Sequence, residues 1–199
     1  MNDIQWIGHF YQEHSFDLLP ESFDRVLSCR YFCDQIKKHS TSKNDQVAIW
    51  YFRAALSVYQ SIIDNINGDV KKIFGKNMWC DSPEKTEMLQ DPLVKLLSKA
   101  RNFAVHSSRI SAKGREHQVT IIDGNGNREE IFRSLFFDEI DKKINFKDVS
   151  NVSQEEIDWF NRQSKIWAVD LLISHGLFEA SKHVHKFYAY SEFENKKLI

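Results

Sequence analysis

Cysteine, proline and glycine are all scarce in this chain, with three, three and seven among 199 residues. So few turn formers exclude an all-β fold built on many tight turns. Three cysteines are an odd number, too few for a disulfide framework, and they fit a reducing compartment. Long hydrophobic runs are missing as well. No stretch reaches the ~18 apolar residues of a membrane helix, so no membrane partner is expected. The opening segment MNDIQWIGHFYQEH has no basic stretch followed by an apolar core. No secretory leader is expected from it, and the expected location is cytoplasmic. An excess of one charge is absent too: 27 Lys and Arg stand against 28 Asp and Glu, for a net charge of −1. The chain has no overall field to draw nucleic acid, and any such contact needs a local basic patch.

What is present is apolar and aromatic. Hydrophobic residues make up 42%, charged residues 28% and aromatics 13%, with fifteen Phe. That balance describes a soluble globular chain of well-packed helices, able to bury a core. We expect a single domain over 1–199, all-α, with one small β-hairpin near 117–132.

Apolar spacing sets out the helices. Ile4, Ile7, Phe10 and Tyr11 predict a short helix over 3–13, and Ser22 opens another to about Lys38. Residues 45–66 are the strongest case, with apolar side chains almost encircling WYFRAALSVY. Arg53 lies inside that helix and needs a partner. It can make a structural salt bridge or add a cation to a functional site. Asn67-Gly68 is the expected stop. A short helical turn and a loop follow over 69–81, and Ser82-Pro83 restarts a brief helix. Gln118–Ile122 and Glu130–Phe132 flank the turn cluster DGNGN and predict the hairpin. A short helix is expected over 136–144. The capping box Ser153-Gln-Glu-Glu156 opens a helix ending near His175-Gly176, and a last helix runs over 177–190.

The stretch Asp91–Ile110 organises the rest. Asp91 is a cap and Pro92 suits the first helical position. Leu93, Leu96, Leu97, Ala100, Phe103 and Ala104 form an inward face, with Lys95, Lys99, Asn102, His106 and Arg109 opposite. A third stripe, Val94, Ser98, Arg101, Val105 and Ser108, is suited to receive a second helix from this chain or from another copy.

Common chemical motifs are missing. Cys29 and Cys33 lie four apart with no second close pair, so they are expected to be buried free thiols, and no metal site is expected. His183 and His185 point to different helix faces. DGNGN lacks the closing Glu of a calcium loop. There is no phosphate-cradling glycine loop and no G-x-S-x-G, and no acid is placed to orient His106 toward Ser107 or Ser108. No cofactor is expected.

The segment Arg101-Asn102-Phe-Ala-Val-His106 resembles the mark of the HEPN domains (higher eukaryotes and prokaryotes nucleotide-binding): Arg, four residues, His, often with a polar residue after the Arg. The resemblance implies an up-and-down helical bundle that forms a homodimer, with two motifs meeting at a cleft. It further implies a metal-independent endoribonuclease in a bacterial defence, stress or toxin setting, with RNA as substrate and an antitoxin or regulatory protein as a further partner. Arg101 would hold the phosphate and His106 would serve as general acid or base. Asn102 would orient His106 or bind substrate. Lys95, Lys99 and Arg109 would guide the RNA backbone, with Ser107 and Arg53 in support. Some members carry a tyrosine two residues after the histidine that a partner nucleotidyltransferase modifies; here that position is Ser108. The hairpin is not part of the minimal bundle. The alternative is a non-catalytic module of the same fold that binds nucleotide, RNA or a protein.

Overall fold

The computed structural model describes residues 16, 18–106, 111–123, 126–141 and 152–196; side chains are described for all of these except 102–106, 121–123, 126–127 and 190–196. The expected helix over 3–13 lies outside the described residues. Within them the chain is mostly helical with a two-stranded antiparallel sheet.

Helices α1 (Pro20–Thr41) and α2 (Asp45–Phe74) form an antiparallel hairpin. The connector turns tightly through Lys43 at φ 60°, and Asn44 N–H donates to the His39 carbonyl at 2.9 Å. The first turn of α1 has no side-chain cap from Leu19. Its cap comes instead from the far end of α2: the buried Asp69 carboxylate accepts from Ser22 N–H at 2.8 Å and from Ser22 Oγ at 2.7 Å. Arg25 donates to Ser61 Oγ at 2.8 Å and holds the two helices farther along.

α2 does not stop at Asn67-Gly68. It continues to Phe74 and ends on Gly75, left-handed at φ 70°, whose N–H donates to the Lys71 carbonyl. The reason is burial. Ile66 and Val70 are fully enclosed, and Asp69 is fastened to Ser22. Together these outweigh the cost of about 1 kcal/mol for glycine inside a helix. α2 is also the central helix, with Phe52, Leu56, Tyr59, Ile62 and Ile66 all fully buried.

Two short capped helices follow. Ser82 Oγ accepts from Lys85 N–H and starts α3 (Pro83–Gln90). Asp91 Oδ1 accepts from Leu93 N–H at 2.9 Å and Val94 N–H at 3.0 Å and starts α4 (Pro92–His106). Both starts agree with the sequence.

The hairpin is longer than expected. β1 (Ala112–Asp123) pairs with β2 (Gly126–Phe137), from Ala112 opposite Phe137 to Asp123 opposite Gly126. Phe136 and Phe137 therefore belong to a strand, not to the helix expected over 136–144, and 138–141 is not helical. Residues 142–144 lie outside the described residues. The foot of the hairpin is core: Ala112, Leu135 and Phe137 are buried, and the Phe137 ring meets Phe52 and Phe160 edge-on at 5.1 Å each. Farther out, Ile131 is 75% exposed. Two strands alone are marginal, and this buried foot anchors them.

The capping box forms as expected: Glu156 N–H donates to Ser153 Oγ and Ser153 N–H to Glu156 Oε2, opening α5 (Gln154–Ile166). The break falls at Trp167-Ala168, and α6 (Val169–Lys196) runs straight through His175-Gly176. Gly176 is there for packing. A Cβ on it would lie 2.5 Å from Leu97 Cδ1 and 3.0 Å from Tyr59 Oη, so its absence lets α6 lie close to α2 and α4. Among the described residues no helix is long and apolar enough to cross a membrane.

Candidate functional site

α4 is sunk deeply along its first half. Leu93, Leu96, Leu97 and Ala100 are buried, as their spacing predicts, and so is Val94. That last burial bears on the stripe expected to receive a second helix from this chain or from another copy. Its first member is already covered by the chain's own core. Ser98, next on the stripe, has its Oγ enclosed with no hydrogen-bond partner. Arg101 is half-buried. Asn102 and His106 belong to α4, but their side chains lie outside the described residues, as do Ser107 and Arg109 altogether. Helical phase sets positions 101 and 106 about 140° apart. It sets positions 95, 99, 102 and 106 within an arc of about 60°, on one stripe.

That stripe opens onto a pocket of about 430 Å³ between α2, α3 and α4. Trp79, Met88 and Ile63 supply its apolar floor; Trp79 and Met88 are each 1% exposed. Lys85, Lys95 and Lys99 bring three cations to its wall, and Gln60, Asp64 and Asn67 bring polar groups from α2. Gln60 Nε2 donates to Asp64 Oδ1 at 2.8 Å, and Asn67 Oδ1 accepts from the Cys80 thiol at 3.0 Å.

The three lysines are not equivalent. Lys95 Nζ is 2.7 Å from Glu156 Oε1 on α5, with both side chains largely covered. Burial alone would raise the Glu156 carboxyl, but hydrogen bonds from Lys95 and Ser153 hold it below its ordinary value. Lys95 is thus a tie between α4 and α5 before it is anything else. Lys85 and Lys99 make no ion pair among the described residues. Sequence reasoning missed Lys85, Gln60 and Asn67. Nothing in their spacing marks them, because packing of α2 and α3 against α4 brings them to one cavity.

Arg53, expected either to make a salt bridge or to join the site, is half-buried on α2 and makes no ion pair among the described residues. Its neighbour Trp50 is 59% exposed, so this part of α2 is not sealed as the apolar run suggested. It does not line the pocket.

The other titratable groups are scattered. Cys29 and Cys33 are buried thiols, and the Cys29 thiol next to Cys33 pushes the latter well up. Burial pushes His175 down to about 4, and its ring meets Trp167 edge-on. His183 and Lys186 face Glu87 across α3 and α6. A second pocket of about 430 Å³ lies at the hairpin foot, with Lys113, Arg115 and Lys165 beside Glu139, Asn161 and Ser164. Two of its three cations are engaged, and Lys165 is exposed without an ion pair among the described residues. Lys113 pairs with Asp138 at 3.2 Å, and Arg115 donates to the Phe137 carbonyl and stacks over Phe136.

A scan against protein-family models, a search of curated proteins and a search of solved structures each find no match to this chain.

Proposed function

We propose that this chain is a metal-independent endoribonuclease of the HEPN type, working as a homodimer with Arg101 and His106 at the cleft. The observation that supports the reading best is the placement of Arg101-Asn102-x3-His106 on α4, in a mostly helical chain, on the helix whose polar stripe carries a lysine-lined pocket. Cleavage through the 2′-hydroxyl needs a group that exchanges protons near neutral pH, which is the role of His106. It also needs a fixed cation where charge builds on the phosphate, which is the role of Arg101. A second copy supplies the second acid or base. The half-buried setting of Arg101 suits such a role, because partial burial strengthens a charge without sealing it.

One observation favours the alternative, a non-catalytic module of the same fold. Lys95 is spent on Glu156, which leaves one fewer cation for a reacting backbone.

The test compares wild type with His106→Ala and Arg101→Ala, matched by circular dichroism and by sedimentation. Each is incubated with tRNA and structured RNA in EDTA, and the product ends are mapped. Wild type should cleave and leave cyclic phosphate ends, and each variant should lose on the order of 100-fold or more. RNA binding by wild type without cleavage would favour the module.

A further inference from the structure

We propose that the pocket between α2, α3 and α4 is a subsite for single-stranded RNA, taking one nucleotide next to the cleaved bond, with its phosphate on Lys85 and Lys99. The proposal rests on the ribonuclease reading for its place in the reaction, but its chemistry stands on the pocket alone.

Three observations converge. Lys85 and Lys99 face one cavity from two different helices, and neither is neutralised by a carboxylate partner among the described residues. Two unpaired ammonium groups over one concavity suit a phosphate, because each gains more from a shared dianionic or monoanionic oxygen set than from water alone. Next, Ser98 Oγ is enclosed at the same wall without any hydrogen-bond partner. A buried hydroxyl left unpaired costs stability, and a turn of the Ser98 side chain toward the cavity would let it donate to a ligand oxygen and remove the cost. The floor and the α2 side supply the rest of a nucleotide's needs. Leu89, 41% exposed, and Ile63 offer an apolar surface for a base above the buried Trp79 and Met88, while the Gln60, Asp64 and Asn67 side chains offer acceptors and donors for base edges. Asp64 is the one carboxylate in the wall, and Gln60 holds it.

Placement favours an RNA strand over a free small anion. Lys95 and Lys99 share their stripe of α4 with positions 102 and 106. The rise of about 1.5 Å per residue puts position 106 about 10 Å along the helix from Lys99. A strand crossing position 106 therefore runs over the pocket mouth. The volume, about 430 Å³, accepts one nucleotide rather than a folded helix of RNA.

The experiment separates this subsite from the chemistry. A labelled 2′-O-methyl oligonucleotide of about ten residues cannot be cleaved through its 2′-oxygen, so its affinity reads binding alone. Its affinity is measured across a range of salt concentrations for wild type, for Lys85→Ala/Lys99→Ala and for Lys37→Ala/Lys38→Ala, an exposed pair on α1. We expect the pocket variant to lose tenfold or more and its salt slope to fall by about 0.7, the share of one single-strand phosphate. The α1 variant should stay within twofold. Ser98→Ala, which removes the unpaired hydroxyl, should weaken binding a few-fold. Equal affinity and slope for wild type and the pocket variant would overturn the subsite, even if wild type cleaves RNA. An equal loss in the α1 variant would overturn it as well, since the binding would then be general charge attraction. Failure of wild type to bind the oligonucleotide would also overturn it. Cleavage of ordinary RNA by wild type, read separately, decides the ribonuclease reading.

Discussion

The pocket between α2, α3 and α4 and the pocket at the hairpin foot enclose the same volume, and each has three basic residues in its wall. They differ in what those cations are doing. At the hairpin foot Lys113 is paired with Asp138, and Arg115 is occupied by the Phe137 carbonyl and the Phe136 ring. Only the exposed Lys165 is untied there, whereas in the helical pocket only Lys95 is tied, and Lys85 and Lys99 make no ion pair among the described residues. A basic patch is a site only where its charges have not already been used to hold the fold together.

Lys95 gives the largest test of that contrast. Lys95→Ala would leave the largely covered Glu156 without its cation. We expect a loss of about 2 kcal/mol of stability near neutral pH, measured by denaturant unfolding. The pH dependence has a definite sign. Glu156 is held below its ordinary value of 4.5, so its contribution is present above that pH and is lost as pH falls through the lower folded-state value. Lys95→Ala should weaken this part of the acid limb. An unchanged acid limb would mean that Lys95 is not the tie described here.

Behind the helical pocket, Gly176→Ala would push a Cβ against Leu97 and Tyr59. Overpacking costs about 1–3 kcal/mol, and alanine's helix propensity returns about 1 of it. A net loss of about 1–2 kcal/mol is expected by thermal unfolding, and a gain in stability would show that α6 has room to shift.

At the hairpin foot the matching change is Gly114→Ala. The new Cβ would collide with the Arg133 guanidinium and the Asp45 carboxylate, whose ion pair at 2.5 Å crosses over Gly114. Both are side-chain ends and can swing away, so the cost should be that of the pair, about 1 kcal/mol. A loss above about 3 kcal/mol would show that the pair is essential to docking the hairpin.

The smallest effect belongs to Lys85 and Lys99. Because neither has a partner among the described residues, alanine at either should change unfolding free energy by no more than about 0.5 kcal/mol. A larger loss would place them with Lys95 as structural residues, and the contrast between the two pockets would fail.

The helical class, the caps at Ser82, Asp91 and Ser153, and the inward face of α4 were legible in the sequence. Each is a local signal: a side chain within three residues of the N–H it satisfies, or an apolar spacing that one helix repeats. Glycine misled twice. Gly68 and Gly176 look like stops, yet both lie inside helices. Buried neighbours beyond Gly68, and the close approach of Leu97 and Tyr59 to Gly176, outweigh a local preference worth about 1 kcal/mol. The foot of the hairpin was missed for the same reason, since Phe137 packs against Phe52 of α2 and Phe160 of α5 while Phe136, on the other face, meets His117 and Arg115 of β1.

For the candidate site, the sequence determined that Arg101 and His106 share a helix five residues apart and that Lys95 and Lys99 lie on its polar face. Only the tertiary structure decided that Lys95 is committed to Glu156, that Val94 is already covered, and that Lys85 meets Lys99 across a cavity. Helical phase is set by the backbone of one segment and can be read from spacing. Whether a charge is spent or available depends on which distant segment packs against it, and that is fixed only when the core forms.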